Sequence, residues 1–261
     1  MNLRILAAAL LPGLALAAPA SAQPLRAVYE VYAAGLTVLQ LEAVFDIGTA
    51  GYRVETTLRT RGLAAAFVPG EQATRVQGGW SGVTPRPVTY RSEGVWRGTT
   101  RRIALDWLGV EPSLVEVSPP EAEERDPVSA EERRGTMDAL SALALLSRAV
   151  QGTGSCEGQA AVFDGRRRSE YSARSLGREL ISPWRGAWHG EALRCSFEAR
   201  QVAGFLRSQV RADAGAPQPG TAWLAAPFPG APPIPVRIEV QSRWFGTATA
   251  VLLSAEAIRA P

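Results

Sequence analysis

The chain contains no lysine: all 28 of its basic residues are arginine, set against 25 acidic ones. It has a single histidine, His189, and only two cysteines, Cys156 and Cys195. One histidine and two cysteines cannot supply the three or four nitrogen and sulfur ligands of a zinc or related site, so no metal is expected. A Ser-His-Asp triad would have to use His189, which stands between Trp188 and Gly190 in a Trp- and Gly-rich loop. No glycine-rich phosphate loop or nucleotide fingerprint occurs, and no cofactor is expected. The arginines are spread along the chain without a basic stripe interleaved with aromatics, which argues against nucleic acid. Arginine in place of lysine fits a GC-rich genome as well as any function.

Long apolar runs are also missing, except at the start. Arg4 is the only charge before Arg26. Between them lies an apolar stretch from Ile5 to Ala17, broken by Pro12-Gly13, and then the small residues Ala20 and Ala22 before Gln23. A positive start, a short apolar run and small residues at −3 and −1 are the parts of a secretory signal peptide, expected over residues 1–22. No cysteine follows it to carry a lipid. No later stretch approaches the roughly 20 apolar residues of a spanning helix. The expectation is therefore a single domain over residues 23–261, periplasmic, with no transmembrane segment. In that compartment the Cys156/Cys195 pair reads as a structural disulfide, because a redox pair would be spaced C-x-x-C.

What is present is alternation. From Thr37 to Ile47, Leu39, Leu41, Ala43, Phe45 and Ile47 share one face, while Gln40, Glu42 and Asp46 share the other. Period two over this length predicts a strand with one dry face. Leu25–Ala33 and Tyr52–Arg61 read the same way, joined by turns at Ala34-Gly35 and Gly48–Gly51, as an antiparallel meander. Further strands are expected at Glu71–Gln77, Val88–Val95, Thr100–Trp107, Leu114–Val117, Ala160–Phe163, Arg166–Ala173, Leu193–Val202, Thr221–Ala225, Val236–Arg243 and Gly246–Ser254. Trp96-Arg97-Gly98 reads as a hairpin turn, and Asp164-Gly165 as a two-residue one. Gly62–Gly70, small and apolar without period two, reads as a short helix or an apolar loop. Pro119–Glu132 reads as an exposed acidic loop, and Arg166-Arg167-Arg168 as a solvated hairpin edge.

One long helix is expected, at about 137–150. Thr136 or Asp138 can cap it, and Gly152 and Gly154 can stop it. Leu140, Leu143, Ala144, Leu145 and Leu146 leave almost no polar stripe, so the helix is expected to be buried inside the curve of the sheet. The disulfide would then tie its end to an inward position of the Leu193–Val202 strand. The fold class expected is mainly β: a strongly curved antiparallel sheet around one apolar helix.

These segments, in order, resemble a known family. Tyr29-Glu30-Val31-Tyr32, Tyr90-Arg91-Ser92-Glu93 with Trp96-Arg97-Gly98, Arg134–Leu143, Phe163–Arg167 and Pro235–Glu239 are similar to the exported bacterial family called domain of unknown function 3108. The resemblance implies an incomplete β-barrel, or β-spiral, with a helix on its concave side, similar to periplasmic lipoprotein carriers. It brings no catalytic residues.

Seven tryptophans are many for this length. Trp184 and Trp188 sit in a Pro/Gly-containing loop. With Phe67, Leu140 and Leu143 they are the candidate lining of an apolar concavity that would take a lipid, an acyl chain or a lipoprotein. The alternative is an envelope-integrity protein holding peptidoglycan or a protein partner on its polar face. A hydrolase using His189 is a second alternative; Asp126, Glu131 and Glu132 as paired glycosidase carboxylates fit a solvated loop better. The preferred expectation is a non-catalytic envelope protein.

Overall fold

A computed structural model describes residues 23–120, 124–242 and 246–258. The expected signal peptide over 1–22, Arg243 and Trp244 lie outside the described residues.

The chain opens with a meander: β1 (Leu25–Ala33), β2 (Leu36–Ile47) and β3 (Gly51–Thr60), a short helix α1 (Gly62–Phe67), then β4 (Gly70–Ser81), β5 (Thr84–Trp96), β6 (Thr99–Leu108) and β7 (Glu111–Ser118). Helices α2 (Ala130–Arg133) and α3 (Ala139–Thr153) follow. The second run is β8 (Gly158–Phe163), β9 (Arg168–Ile181), β10 (Gly190–Ala203), a helical turn α4 (Arg211–Ala214), β11 (Gln218–Ala225), β12 (Ile234–Ser242) and β13 (Gly246–Ala257). All thirteen strands join one antiparallel sheet, ordered β7-β6-β5-β4-β3-β2-β1-β13-β12-β11-β10-β9-β8. The first and last strands of the chain pair with each other, so the edges are β7 and β8, from the middle of the sequence.

Those edges do not pair with each other, yet the sheet curls far enough for them to meet. Gly165, between β8 and β9, lies so close to Ile103 of β6 that a Cβ there would overlap it. The segment before α3 fills the seam. The Met137 amide donates to Ala161 O at 2.9 Å, Phe163 N donates to Met137 O at 2.8 Å, and Gly135 N donates to Val110 O at 2.8 Å. Residues on both sides of 121–123 seal one end: Asp126 N donates to Phe205 O, Arg207 N to Glu124 O, and Arg166 to Ser118 O. This is an incomplete barrel whose gap is closed by loops instead of ladder hydrogen bonds.

The core lies on the concave side. Leu25, Ala27, Tyr29, Phe45, Ile47, Tyr52, Val54, Val76, Leu105 and Leu252 are buried there, in the alternation expected for a sheet with one dry face. Helix α3 packs on β3, β4, β5 and β8. Asp138 caps it, its Oδ1 accepting from Leu140 N and Ser141 N, and Gly154 ends it in the left-handed region at φ 67°. The disulfide forms between Cys156 and Cys195 with Cα atoms 6.1 Å apart, in a cluster with Leu193, Leu224, Leu146 and Val150. It ties the segment after α3 to β10.

Several details differ from the sequence reading. The helix is not buried all round. Its fully buried line is Ser141, Ala144 and Ser147, and the leucines are half-buried on either side. Small residues let the helix axis approach the sheet, so the leucines reach sideways to the walls. Arg148 stacks on Trp80, 4.2 Å from the ring centroid. The Asp164-Gly165 hairpin is a four-residue connection, with β9 starting at Arg168, because Asp164 Oδ1 accepts from both Arg166 N and Arg167 N. The acidic loop contains α2, held by a Ser129/Glu132 capping box that also lowers the Glu132 carboxyl below its ordinary value. Gly62–Phe67 is the helical alternative.

Candidate functional site

The concave wall formed by β4 and β5 changes character along its length. Cross-strand partners run Val76↔Tyr90, Thr74↔Ser92, Gln72↔Gly94 and Gly70↔Trp96. Each pair is two residues from the last, so all point to the same face. The wall passes from apolar, through hydroxyl and amide, to glycine with an indole laid across it.

At the inner end the wall carries the helix. The Tyr52 hydroxyl and Ser141 Oγ are 2.7 Å apart, and the Ser141 hydroxyl donates to Asp138 Oδ2. Asp138 is fully buried, and burial raises its carboxyl above the ordinary value despite the hydrogen bonds from Ser141 and Leu140 that oppose the rise. Burial likewise raises the hydroxyls of Tyr52 and Tyr90. The Trp107 indole donates to Thr136 O at 3.0 Å. Leu140 and Leu143 pack into this core, as does Trp188 from the β9–β10 loop.

At the outer end the wall opens into a cleft of about 650 Å³. Tyr90, Ser92 and Ile103 lie deepest in register. Gln72 donates to Ser92 Oγ at 2.7 Å and accepts from the Trp96 indole at 3.2 Å. Trp96 lies over Gly70, where any Cβ would overlap the ring. Across the cleft the β8–β9 turn contributes Asp164, Arg166 and Arg167, and β6 contributes Thr99 and Arg101. Arg97 and Val68 complete the rim. The lining thus holds four guanidinium groups and one carboxylate, Asp164, itself paired with Arg167 at 2.8 Å. Such a mouth attracts anions, and arginine grips carboxylate or phosphate oxygens bidentately. Trp96, Val68 and Ile103 supply apolar surface beside the charge.

The five residues singled out from sequence do not form one surface. Leu140, Leu143 and Trp188 each pack against the core cluster. Trp184, 41% exposed, sits in a different cleft beside Tyr32. Phe67, 80% exposed, projects from α1, next to Val68 at the mouth. The mouth itself was hidden in the sequence, where Trp96-Arg97-Gly98 looked like a turn and Arg166–Arg168 like a solvated edge. The available signal was Gly94: an isolated glycine inside an alternating strand marks a close approach. His189 is exposed, and among the described residues none hydrogen-bonds to it. Among the described residues no three His, Cys, Asp or Glu side chains gather as a metal site would need, and no helix is long and apolar enough to cross a membrane.

With this architecture in view, the class is an incomplete β-barrel wrapped on a helix. A family model for a protein of unknown function, DUF3108, matches residues 28–253, and the chain belongs to that family. Its fold is similar to that of a β-barrel-like protein of domain of unknown function DUF1849 from Brucella abortus, at 12% identity and TM-score 0.58, over 91% of this chain and 99% of that one. A protein with a YmcC-like fold from Bacteroides fragilis aligns at 10% identity and TM-score 0.34, over 91% of this chain and 100% of that one. No curated protein matches the chain.

Proposed function

We propose that this chain is a non-catalytic envelope protein, exported through residues 1–22, whose domain over 23–261 holds an amphiphile in the mouth of the incomplete barrel. The observation that carries this reading is the cleft of about 650 Å³ on the concave side, where Trp96 and Ile103 face Arg101, Arg166 and Arg167. Its volume lies within the range of small-molecule sites. The acidic head of a lipid, free acyl chain or lipoprotein anchor would lie against the arginines, and the first part of its tail along Trp96, Val68 and exposed Phe67. Burial of that tail would contribute about 25 cal/mol per Å² before the costs of association. The sequence alone suggested a purely apolar concavity; the residues at the mouth favour an apolar chain with an anionic end.

The test is native mass spectrometry of the protein after detergent-free extraction, followed by displacement of a fluorescent fatty acid. Wild type should carry or take up the acid, and Arg166→Glu should bind it at least tenfold more weakly. A protein that comes out empty and ignores the fluorescent acid contradicts the proposal.

A further inference from the structure

The face of the sheet away from the helix carries a second cleft, of about 410 Å³. Its floor is set by register. Tyr29 and Leu252 are partners on the core face, so Val251 and its partners Glu30 and Arg237 point the other way. Trp223 pairs with Arg237, and Tyr32 with Thr249, which places all four on that convex face. Over them folds the loop of residues 182–189.

This loop is pinned. Trp188 N donates to Leu252 O at 2.7 Å, and Ala187 is buried against Tyr32 and Val251. Arg185 and Gly186 both take positive φ, 48° and 75°, in a tight turn closed by Ala187 N donating to Trp184 O. The turn presents Trp184 edge-on to Tyr32, with ring centroids 4.9 Å apart, and Arg185 lies over both rings at 5.0 and 5.2 Å. The loop that walls the cleft is thus held by backbone hydrogen bonds and packing.

The two charged residues that line it, Glu179 and Arg237, each have an ion-pair partner. Glu179 accepts from the Trp223 indole at 3.1 Å and pairs with Arg194 at 3.5 Å. Arg237 pairs with Glu239, and the Tyr32 hydroxyl donates to Glu30. The cleft thus combines a fixed, partly open indole, a tyrosine edge, the hydroxyls of Thr247, Thr249 and Ser182, and paired charges that still have lone pairs and N–H groups to share. A neutral polyhydroxylated ring uses each of these: its C–H faces pack on the indole and its hydroxyls both donate and accept. An anion would gain nothing from balanced charges, and a bare apolar chain would strand the polar groups.

We propose that this convex cleft is a binding site for a neutral saccharide, with Trp184 as its stacking surface. The inference is independent of the amphiphile reading, because it uses the opposite face and none of the same residues.

The experiment uses the exported chain labelled with 5-fluorotryptophan and titrated with chitotriose, cellotriose and maltotriose. At least one trisaccharide should shift the Trp184 fluorine resonance saturably. Trp184→Ala should weaken that trisaccharide at least tenfold, whereas Trp96→Phe should leave it unchanged. Thr249→Arg, which fills the floor, should also abolish binding if the protein remains folded by circular dichroism. Failure of all three trisaccharides at millimolar concentration, or binding that survives both Trp184→Ala and Thr249→Arg, overturns the proposal. Loss of fatty-acid binding alone, with trisaccharide binding intact, strikes at the concave site only.

Discussion

The two ends of one concave wall differ in what their side chains do. At the helix end the side chains that matter are small or fully hydrogen-bonded: Ser141, Ala144, Ser147, and Asp138 with its acceptor oxygens filled. At the mouth they are long and charged and reach the surface, and glycine lies under Trp96. One strand pair, β4–β5, spans both regimes within four same-face cross-strand pairs. The lesson is that a curved sheet does not have one interior. Where a helix must dock closely, the wall is apolar and its few polar groups are paired. Where the curve runs out, the wall turns polar and keeps room for something else.

The comparison can be broken from the closed end first. Replacing Cys156 and Cys195 with alanine should cost about 4 kcal/mol in the chain-entropy model for their 39-residue separation, read as a lower urea midpoint. Fatty-acid binding by the molecules still folded should not change, because the disulfide sits away from the mouth. Next in size, Asp138→Ala removes the cap of α3 and the acceptor for Ser141; about 2 kcal/mol should be lost by chemical denaturation. The same residue predicts a pH effect. Its carboxyl is raised in the folded state, so the folded chain holds that proton more tightly than the unfolded chain. Its contribution is then most favourable below the ordinary aspartate value of about 3.9, and it falls as pH rises through the raised value. Asp138→Asn should flatten this part of the stability-against-pH curve, and a curve parallel to wild type would mean that the group is not desolvated.

Substitutions at the mouth should show the reverse pattern. Arg101→Ala, at an exposed position, should change stability by no more than about 0.5 kcal/mol, yet weaken fatty-acid binding about tenfold. Smallest of all, Arg53→Ala breaks an exposed pair with Glu55 on the far face, and stability should stay within about 0.5 kcal/mol with binding unaltered.

Much of the fold was legible because its signal is local. Alternation located the strands, Asp138 and Gly154 marked the helix ends, and two cysteines in a chain read as exported marked the disulfide. What escaped was what depends on distant partners. Nothing local says that β9 runs on to Ile181, since Arg174 to Leu180 lacks apolar alternation and its pairing to β10 is what makes it a strand. The apolar all-round look of α3 concealed that serine and alanine make its closest contact. The candidate site was less legible still. Trp96 and Arg166 are seventy residues apart in sequence, and only the curl of the sheet brings them to one cleft.

The central claim is that the open end of the wall is a site and the closed end is not. Calorimetric titration of dodecyl phosphate into wild type, Gly70→Val and Ala144→Gly tests it directly. Gly70→Val displaces the Trp96 indole and should abolish the heat of binding, whereas Ala144→Gly loosens the helix bed and should leave affinity within twofold. Equal binding by wild type and Gly70→Val, or a loss confined to Ala144→Gly, would contradict the account.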